Sequence, residues 1–231
     1  MEKTNKQLNK IRIELIDGKS AKKLILRNHY MKTYPQGAAV NFGVFYEGKL
    51  LGVCVMGYSS YTAKKIANIY PEPLQKNEYI ELQRLWIDDE LGNNTESYCL
   101  SKMVSIYKHK SKVKIILTHA GGCKNDCGIL YQASNWLYFG KKECHDFFLT
   151  KDHSYKNIVN AVRFGRIKTK GKTNQQIGEE LYGEGKIIDS YRYYYVYPID
   201  KKIRDYLVKK SSPYPKDSAV FRKNQEWQKN K

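Results

Sequence analysis

The sequence predicts a mixed α/β domain with a mainly antiparallel sheet in its front half, flanked by helices and followed by a basic C-terminal extension. Three observations carry this. Residues 79–87 form an apolar strand run that leads into Leu91-Gly92-Asn93-Asn94-Thr95-Glu96-Ser97, the signature of a capped helix start. Glu47-Gly48 separates two apolar runs, a hairpin signal. Leu100, Met103, Val104 and Tyr107 recur at i, i+3, i+4 and i+7, the stripe of an amphipathic helix over 96–109.

Taken in order, residues 11–16 alternate apolar and charged side chains and read as a first strand, closed by Asp17-Gly18. Ser20 is the expected cap of a helix reaching Asn28, with Leu24 and Ile25 facing inward. Tyr34-Pro35-Gln36-Gly37 breaks the chain before the hairpin strands at 40–46 and 49–57. Residues 58–77 are polar and tyrosine-rich, and read as a long functional loop. After the helix at 96–109 come a short buried strand at 113–117, a loop at 121–128, and a helix over 129–138 ended by Gly140. Residues 147–149 read as another short strand, 173–181 as a short helix, 191–197 as a strand and 200–208 as a helix. Residues 211–231 are polar and expected to be loosely held. The domain expectation is a core over 1–150 and a basic extension over 151–231 that completes the sheet.

Charge separates these parts. The chain has 231 residues, with 41 Lys+Arg against 23 Asp+Glu, a net of +18. By position the net is +5 over residues 1–27, +3 over 28–150 and +10 over 151–231. Basic flanks suit a polyanion, because each neutralised phosphate releases counterions. The run Arg163, Arg166, Lys168, Lys170, Lys172 places five basic residues in ten with no acid, and is the expected DNA-binding arm. The 20 tyrosines offer flat surfaces on which extruded bases can stack. The five cysteines are odd in number and irregularly spaced, which argues for a reducing cytoplasm. No segment has the roughly 20 apolar residues needed to cross a bilayer, and no secretory signal is visible, so no membrane partner is expected.

The candidate site residues follow from chemistry. A helix start leaves four backbone N–H groups unbonded and carries about half a positive charge, a cradle for phosphate. Gly92, Asn93, Asn94, Thr95 and Ser97 line that start, with Asn93 or Asn94 as cap. His29, at a helix end, has the ordinary pKa of about 6.5 that suits a general base, though such a histidine also serves as a dipole partner. Glu81 and Arg84 interrupt an apolar strand and, counted by two, emerge on opposite faces. Glu81 can accept a proton or hold an amine, and Arg84 can grip phosphate, or each can pair with another element. Tyr131 is a candidate acid, whereas Tyr138 more simply packs. His119, Cys123, Cys127 and Cys144-His145 lack the two tight ligand pairs of a structural zinc site, so no metal ligand is assigned. Iron held by His with Tyr or carboxylate stays open.

The element order, with a phosphate-binding helix start after the fourth strand, resembles the GNAT acyltransferase fold. That family's loop pattern of glutamine/arginine with glycine is absent here. The resemblance implies acetyl-CoA or a related acyl-CoA held at residues 91–95, and a tyrosine acid matched by Tyr131-Gln132-Ala133-Ser134-Asn135-Trp136. A closer resemblance is to the bacteriophage Mom family of DNA adenine-modifying proteins, GNAT-like in fold. It rests on Asn28-His29-Tyr30, Phe42-Gly43-Val44, Gly52 with Gly57, Glu81-Leu82-Gln83-Arg84-Leu85, and Asn94-Thr95-Glu96-Ser97. Gly128 through Gly140, with Tyr131 and Trp136, Tyr191-Arg192-Tyr193, and Tyr214-Pro215-Lys216 extend it over most of residues 28–217. Gly121 stands where members often carry an aspartate, and Asp126 lies across the same loop.

This resemblance implies a transferase acting on double-stranded DNA in the host cytoplasm. It would modify an exocyclic amine, adenine first, in the manner of a carbamoylmethylation that blocks restriction. A CoA-dependent N-acyltransferase acting on an aminated pyrimidine or a small amine stays open, as does a non-catalytic DNA-binding relative.

Overall fold

The alternating run near the N-terminus forms β1 (Arg12–Leu15), and Asp17 rather than Ser20 caps the helix that follows, α1 (Gly18–Asn28). The Asp17 carboxylate accepts from the Ser20 backbone N–H at 2.9 Å and from its hydroxyl at 2.7 Å, so Ser20 is the capped residue. Next come β2 (Ala38–Tyr46) and β3 (Lys49–Gly57). Glu47 and Gly48 both hold positive φ, 48° and 80°, as a two-residue hairpin turn matched to strand twist requires.

The computed structural model describes residues 8–122, 126–163 and 169–216. Two compact units emerge, one of Met1–His119, Ile129–Phe139 and Tyr195–Pro213, the other of Ala120–Gly128, Gly140–Tyr194 and Tyr214–Lys231.

The first unit continues with α2 (Ser60–Ile69), β4 (Tyr79–Ile87), α3 (Thr95–Lys110), β5 (Ile115–Gly122, to His119 in this unit) and α4 (Ile129–Ala133). The tyrosine-rich segment expected to be a loop is thus partly helix. Ser59 accepts from Thr62 N–H while Thr62 accepts from Ser59 N–H, a reciprocal cap that starts α2. Helix α4 stops at Ala133, short of the expected 138. Trp136 N–H bonds Tyr131 C=O and Asn135 N–H bonds Gln132 C=O, with Asn135 at φ 59°. This is a Schellman ending. Asn135→Val forces a β-branched residue into that left-handed geometry and is expected to lower stability by about 1–2 kcal/mol, while Asn135→Gly is tolerated. Urea melts of the two variants check this.

From Leu137 the chain enters β6 (Leu137–Thr150), which absorbs the strand expected at 147–149. Then follow β7 (Tyr155–Asn157), α5 (Ile158–Arg163), α6 (Asn174–Tyr182), β8 (Gly185–Pro198) and α7 (Lys201–Val208). In the first unit the strand order is β1-β2-β3-β4-β5, then the end of β8 and the start of β6. In the second, β8, β6 and β7 lie side by side. Pairing is antiparallel from β1 to β4 and parallel between β4 and β5. The mixed α/β class, with a mainly antiparallel sheet flanked by helices, is the observed one.

Two faces of the first unit's sheet are covered by different helices. Ala21 and Ile25 of α1 pack on Val53, Val55 and Trp86, and Ile66 of α2 packs with Ile203 and Leu207 of α7 on Ile115, Leu117 and Tyr79. Cys99 of α3 packs on the opposite face with Val44, Leu85 and Ile87. In the second unit Phe148, Ile158 and Ile177 form a separate core. Among the described residues no helix is long and apolar enough to cross a membrane.

Candidate active site

Strand β4 does not keep its expected alternation. Val55 pairs with Arg84 and Met56 with Leu82, so Gln83 is the extra residue of a β-bulge. Val55 and Gly57 are two apart on β3 and share a face, and their partners are Arg84 and Glu81. Arg84 and Glu81 therefore lie on one face, not on opposite faces as counting by two suggests. The bulge fits because two glycines sit beneath it. A Cβ on Gly57 would lie 2.0 Å from the Gly37 carbonyl oxygen and 2.6 Å from Gln83 Oε1. Gln83 Oε1 is itself buried with no hydrogen-bond partner among the described residues.

Glu81 is 5% exposed and anchors the site. It accepts from Ser59 Oγ at 3.0 Å and Thr62 Oγ1 at 2.5 Å, both at the start of α2, and lies 3.5 Å from His119 Nδ1 on β5. Burial alone raises a carboxyl pKa. Here the His119 hydrogen bond and charge, with Thr62 and Ser59, outweigh it, and Glu81 sits below its ordinary value. With Nδ1 turned to the carboxylate, the imidazole carries its proton there and leaves Nε2 as acceptor. The His119 side chain is 38% exposed. Sequence reasoning passed over this residue as a base because its partner is 38 positions away.

His29 is placed differently. It caps the C-terminus of α1, is 6% exposed, and its Nδ1 accepts the Met31 N–H at 3.1 Å. A neutral imidazole bonded this way carries its proton on Nε2 and is a donor there. Its ring stacks on Tyr30, with centroids 4.4 Å apart. Arg84 donates from Nε to Thr33 C=O (3.3 Å), from Nη1 to Gln83 C=O (2.6 Å) and from Nη2 to Thr33 Oγ1 (3.2 Å). Burial lowers its pKa against the opposing pull of Tyr30 and Glu81. The guanidinium thus ties the loop after α1 to the bulge, with two of its five N–H bonds outside these contacts.

Tyr131 comes from the other face. The β4–β5 ladder runs from Tyr79↔Ile115 to Leu82↔Thr118, and β4 continues to Ile87. At that last rung Thr118 Oγ1 donates to Leu82 C=O at 2.9 Å, and Tyr131 Oη lies 3.4 Å from Thr118 Oγ1. Glu81 and His119 flank the rung in sequence and point to the α2 side. The Schellman turn explains the Tyr131-to-Trp136 spacing, since it brings those two rings to 5.4 Å. Tyr195 also packs on Tyr131 at 5.4 Å, and Tyr138, 7% exposed, packs on Tyr195.

The start of α3 has Asn94 as its cap, at φ 64° and with no side-chain cap bond. Thr95 Oγ1 turns back to Leu91 and Gly92 C=O, and Ser97 Oγ to Asn94 C=O. The start of α3 borders a cleft of about 560 Å³ lined by Asp89, Gly92, Asn93, Asn94 and Glu96. Two carboxylates on this rim are a feature the loop sequence did not suggest.

Other candidates separate from these. Arg166 and Lys168 lie outside the described residues, as does the side chain of Arg163, whose backbone ends α5. Lys170 is exposed in the second unit, and Lys172 there pairs with Glu180. Gly121 has φ 97°, and a Cβ there would lie 2.0 Å from Tyr191 C=O. Gly121→Asp is thus expected to destabilise by about 2 kcal/mol or more rather than restore an acid, readable by thermal melting. Asp126 is held by the Gly128 N–H at 2.9 Å. Cys123 lies outside the described residues and Cys127 is buried. Among the described residues Glu143, His145 and Asp189 come within ligand distance of one another, all exposed, in the second unit. The iron that the sequence leaves open gains no support from this trio, since exposed acidic groups of this kind are common on protein surfaces.

The first unit is a mixed α/β protein with an ionisable site where two parallel strands part. The chain belongs to the Mom protein family, whose model matches residues 10–216. It is similar to the methylcarbamoylase mom of Escherichia phage Mu, 26% identical over 156 residues, covering 67% of this chain and 64% of that protein. The chain thus spans about 64% of the length of the curated relative it matches. Similar solved structures include the spermidine/spermine N-acetyltransferase SpeG from Vibrio cholerae (10% identity, TM-score 0.48, covering 86% of this chain and 98% of that one). Another is Arabidopsis thaliana NAA60 in complex with acetyl-CoA (13%, TM-score 0.49, covering 81% and 99%).

Proposed function

We propose that this chain is a phage DNA modification enzyme that transfers a group to the exocyclic amine of a DNA base, adenine first, and so blocks restriction. The single observation that carries this, in a chain of the Mom family, is the Leu82↔Thr118 rung where β4 and β5 part, with the His119–Glu81 pair on one face of it and the Tyr131 hydroxyl on the other. The phage Mu relative is called a methylcarbamoylase, which supports an amide-bearing adduct here. Attack of the amine on an acyl-CoA with loss of the thiol gives an N-acyl base, so a carbamoylmethyl-type product needs a nitrogen donor besides the acyl-CoA.

An amine whose lone pair is delocalised into a purine ring needs a base and stabilisation of developing negative charge. On this reading His119 Nε2 takes the proton, and Glu81 holds the ring and stabilises the imidazolium. Tyr131 Oη, at the parting of the strands, holds the proton that a leaving group needs. Arg84 fixes the loop carrying Tyr30 and Thr33. His29 stays in the pocket wall as a donor.

The residues at the start of α3 fit an acyl-CoA: the amides of Asn93, Asn94, Thr95 and Ser97 would hold its pyrophosphate, since no side chain caps that turn. Gly92, whose own N–H is bonded to Asp89 C=O, lines the cleft beside them. Such a group supplies an activated acyl carbon when bound. Asp89 and Glu96 weaken the grip by repulsion, so affinity is expected to be modest. The basic extension over 151–231, with Arg163, Arg166, Lys168, Lys170 and Lys172, is proposed to hold the double-stranded DNA. The base must leave the stack to reach the site.

The test is nucleoside mass spectrometry of plasmid from cells expressing the protein, beside a Tyr131→Phe control. A mass-shifted deoxyadenosine that the control lacks is expected. A shifted pyrimidine instead would point to the N-acyltransferase alternative, and unmodified nucleosides throughout would leave only DNA binding.

A further inference from the structure

Helices α1 and α2 carry Lys19, Lys22, Lys23, Arg27, Lys64 and Lys65 and not one Asp or Glu. At 100° per residue the four cations of α1 form a stripe opposite Ala21, Leu24 and Ile25, which pack on the sheet. Lys19, Lys22, Lys23, Arg27 and Lys64 are exposed, and none of them joins the ion pairs among the described residues. Both helices cover the sheet face that holds Glu81, Arg84 and His119, and Tyr30 at the end of α1 is 43% exposed. The opposite face differs in sign where it meets the α3 cleft, with Asp89 and Glu96 on the rim.

We infer that the DNA backbone is gripped in the first unit by this α1–α2 surface, so that the strand bearing the target base crosses directly over the Glu81 face. The inference rests on the proposed DNA modification and adds a surface distinct from the arm at 163–172. Helix α1 has 11 residues and is roughly 16 Å long, a length along which a duplex carries about nine phosphate charges. Four cations in one stripe over that length match a phosphate track. Lys19, Lys22, Lys23 and Arg27 have no carboxylate partner among the described residues to give up when phosphates arrive, the Asp17 carboxylate at the helix start being bonded to Ser20. The two carboxylates at the rim of the α3 cleft repel a polyanion there and leave that cleft to the second substrate.

The test is fluorescence anisotropy of the full chain with a labelled 20-base-pair duplex across a KCl series. Each lost phosphate contact flattens the log Kd against log salt slope by about 0.9. Lys22→Ala/Lys23→Ala/Arg27→Ala is expected to flatten it by about 2 to 3 and to weaken binding at least about tenfold near 0.1 M salt. Lys64→Ala/Lys65→Ala should flatten it by about 2 more. Lys102→Ala/Lys108→Ala/Lys110→Ala, the same charge change on α3, is the control and should bind nearly as the parent does. Equal losses from the α3 and α1 triples, or a parent-like α1 triple, would overturn the inference. Circular dichroism melts exclude unfolding as the cause. Since binding is read without chemistry, an α1-dependent slope with no base adduct would sink the modification reading and leave this surface standing.

Discussion

Glu81→Gln is expected to lower base modification about 10²- to 10⁴-fold while leaving the protein folded. The glutamine amide still accepts from Thr62 and Ser59, so the start of α2 keeps its partners. What it lacks is the charge that holds His119 in the tautomer with a free Nε2 and stabilises its protonated form. Glu81→Ala goes further. It removes the acceptor shared by two hydroxyls, of which Thr62 is fully buried. They keep each other and the reciprocal cap, but one hydroxyl proton is left without an acceptor, which should cost about 1–3 kcal/mol. Acid titration separates the roles. The Glu81 carboxyl lies below its ordinary 4.5 in the folded state, so its contribution to stability is present above the unfolded-state value and is lost as pH falls through the folded one. The parent should therefore lose stability below about pH 4.5 more steeply than Glu81→Gln, in urea melts taken from pH 6 to 3. Undiminished modification by the glutamine variant would remove Glu81 and His119 from the chemistry.

Tyr131→Phe should abolish most of the product, about 10²-fold or more, with a stability change under about 1 kcal/mol. The ring keeps its packing on Trp136 and Tyr195, because the Schellman turn and not the hydroxyl brings these groups together. The 3.4 Å contact with Thr118 is lost. The expected signature is a folded protein that binds DNA as the parent does but leaves its nucleosides unmodified. A parent-like adduct yield would show that the phenol carries no needed proton.

Much of the fold was legible because period and punctuation act locally. Strand β4 and helix α3 follow from apolar spacing, and the Glu47-Gly48 hairpin from a turn that few residue pairs can adopt. Helix α2 was not legible. Its sequence, Ser-Tyr-Thr-Ala-Lys-Lys-Ile-Ala-Asn-Ile, has a thin apolar stripe, and the Ser59–Thr62 cap and the packing of Ile66 hold it. The long β6 was obscured by its exposed middle, where the pattern of a buried strand is missing. Tyr131 was singled out by its spacing to Trp136, which is a local motif. Glu81 and Arg84 were found as charges on an apolar strand, but their shared face was not.

The sequence by itself determined strand β4, helix α3 and where that helix starts, and that the chain is strongly basic. Those properties depend on neighbours a few residues apart. Only the tertiary structure decided that Gln83 bulges, that Glu81 and Arg84 face the same way, and that His119 rather than His29 stands with a carboxylate. A bulge is set by the register of a partner strand, here permitted by the close approach at Gly37 and Gly57. A carboxylate and an imidazole 38 residues apart meet only because β4 and β5 pair in parallel.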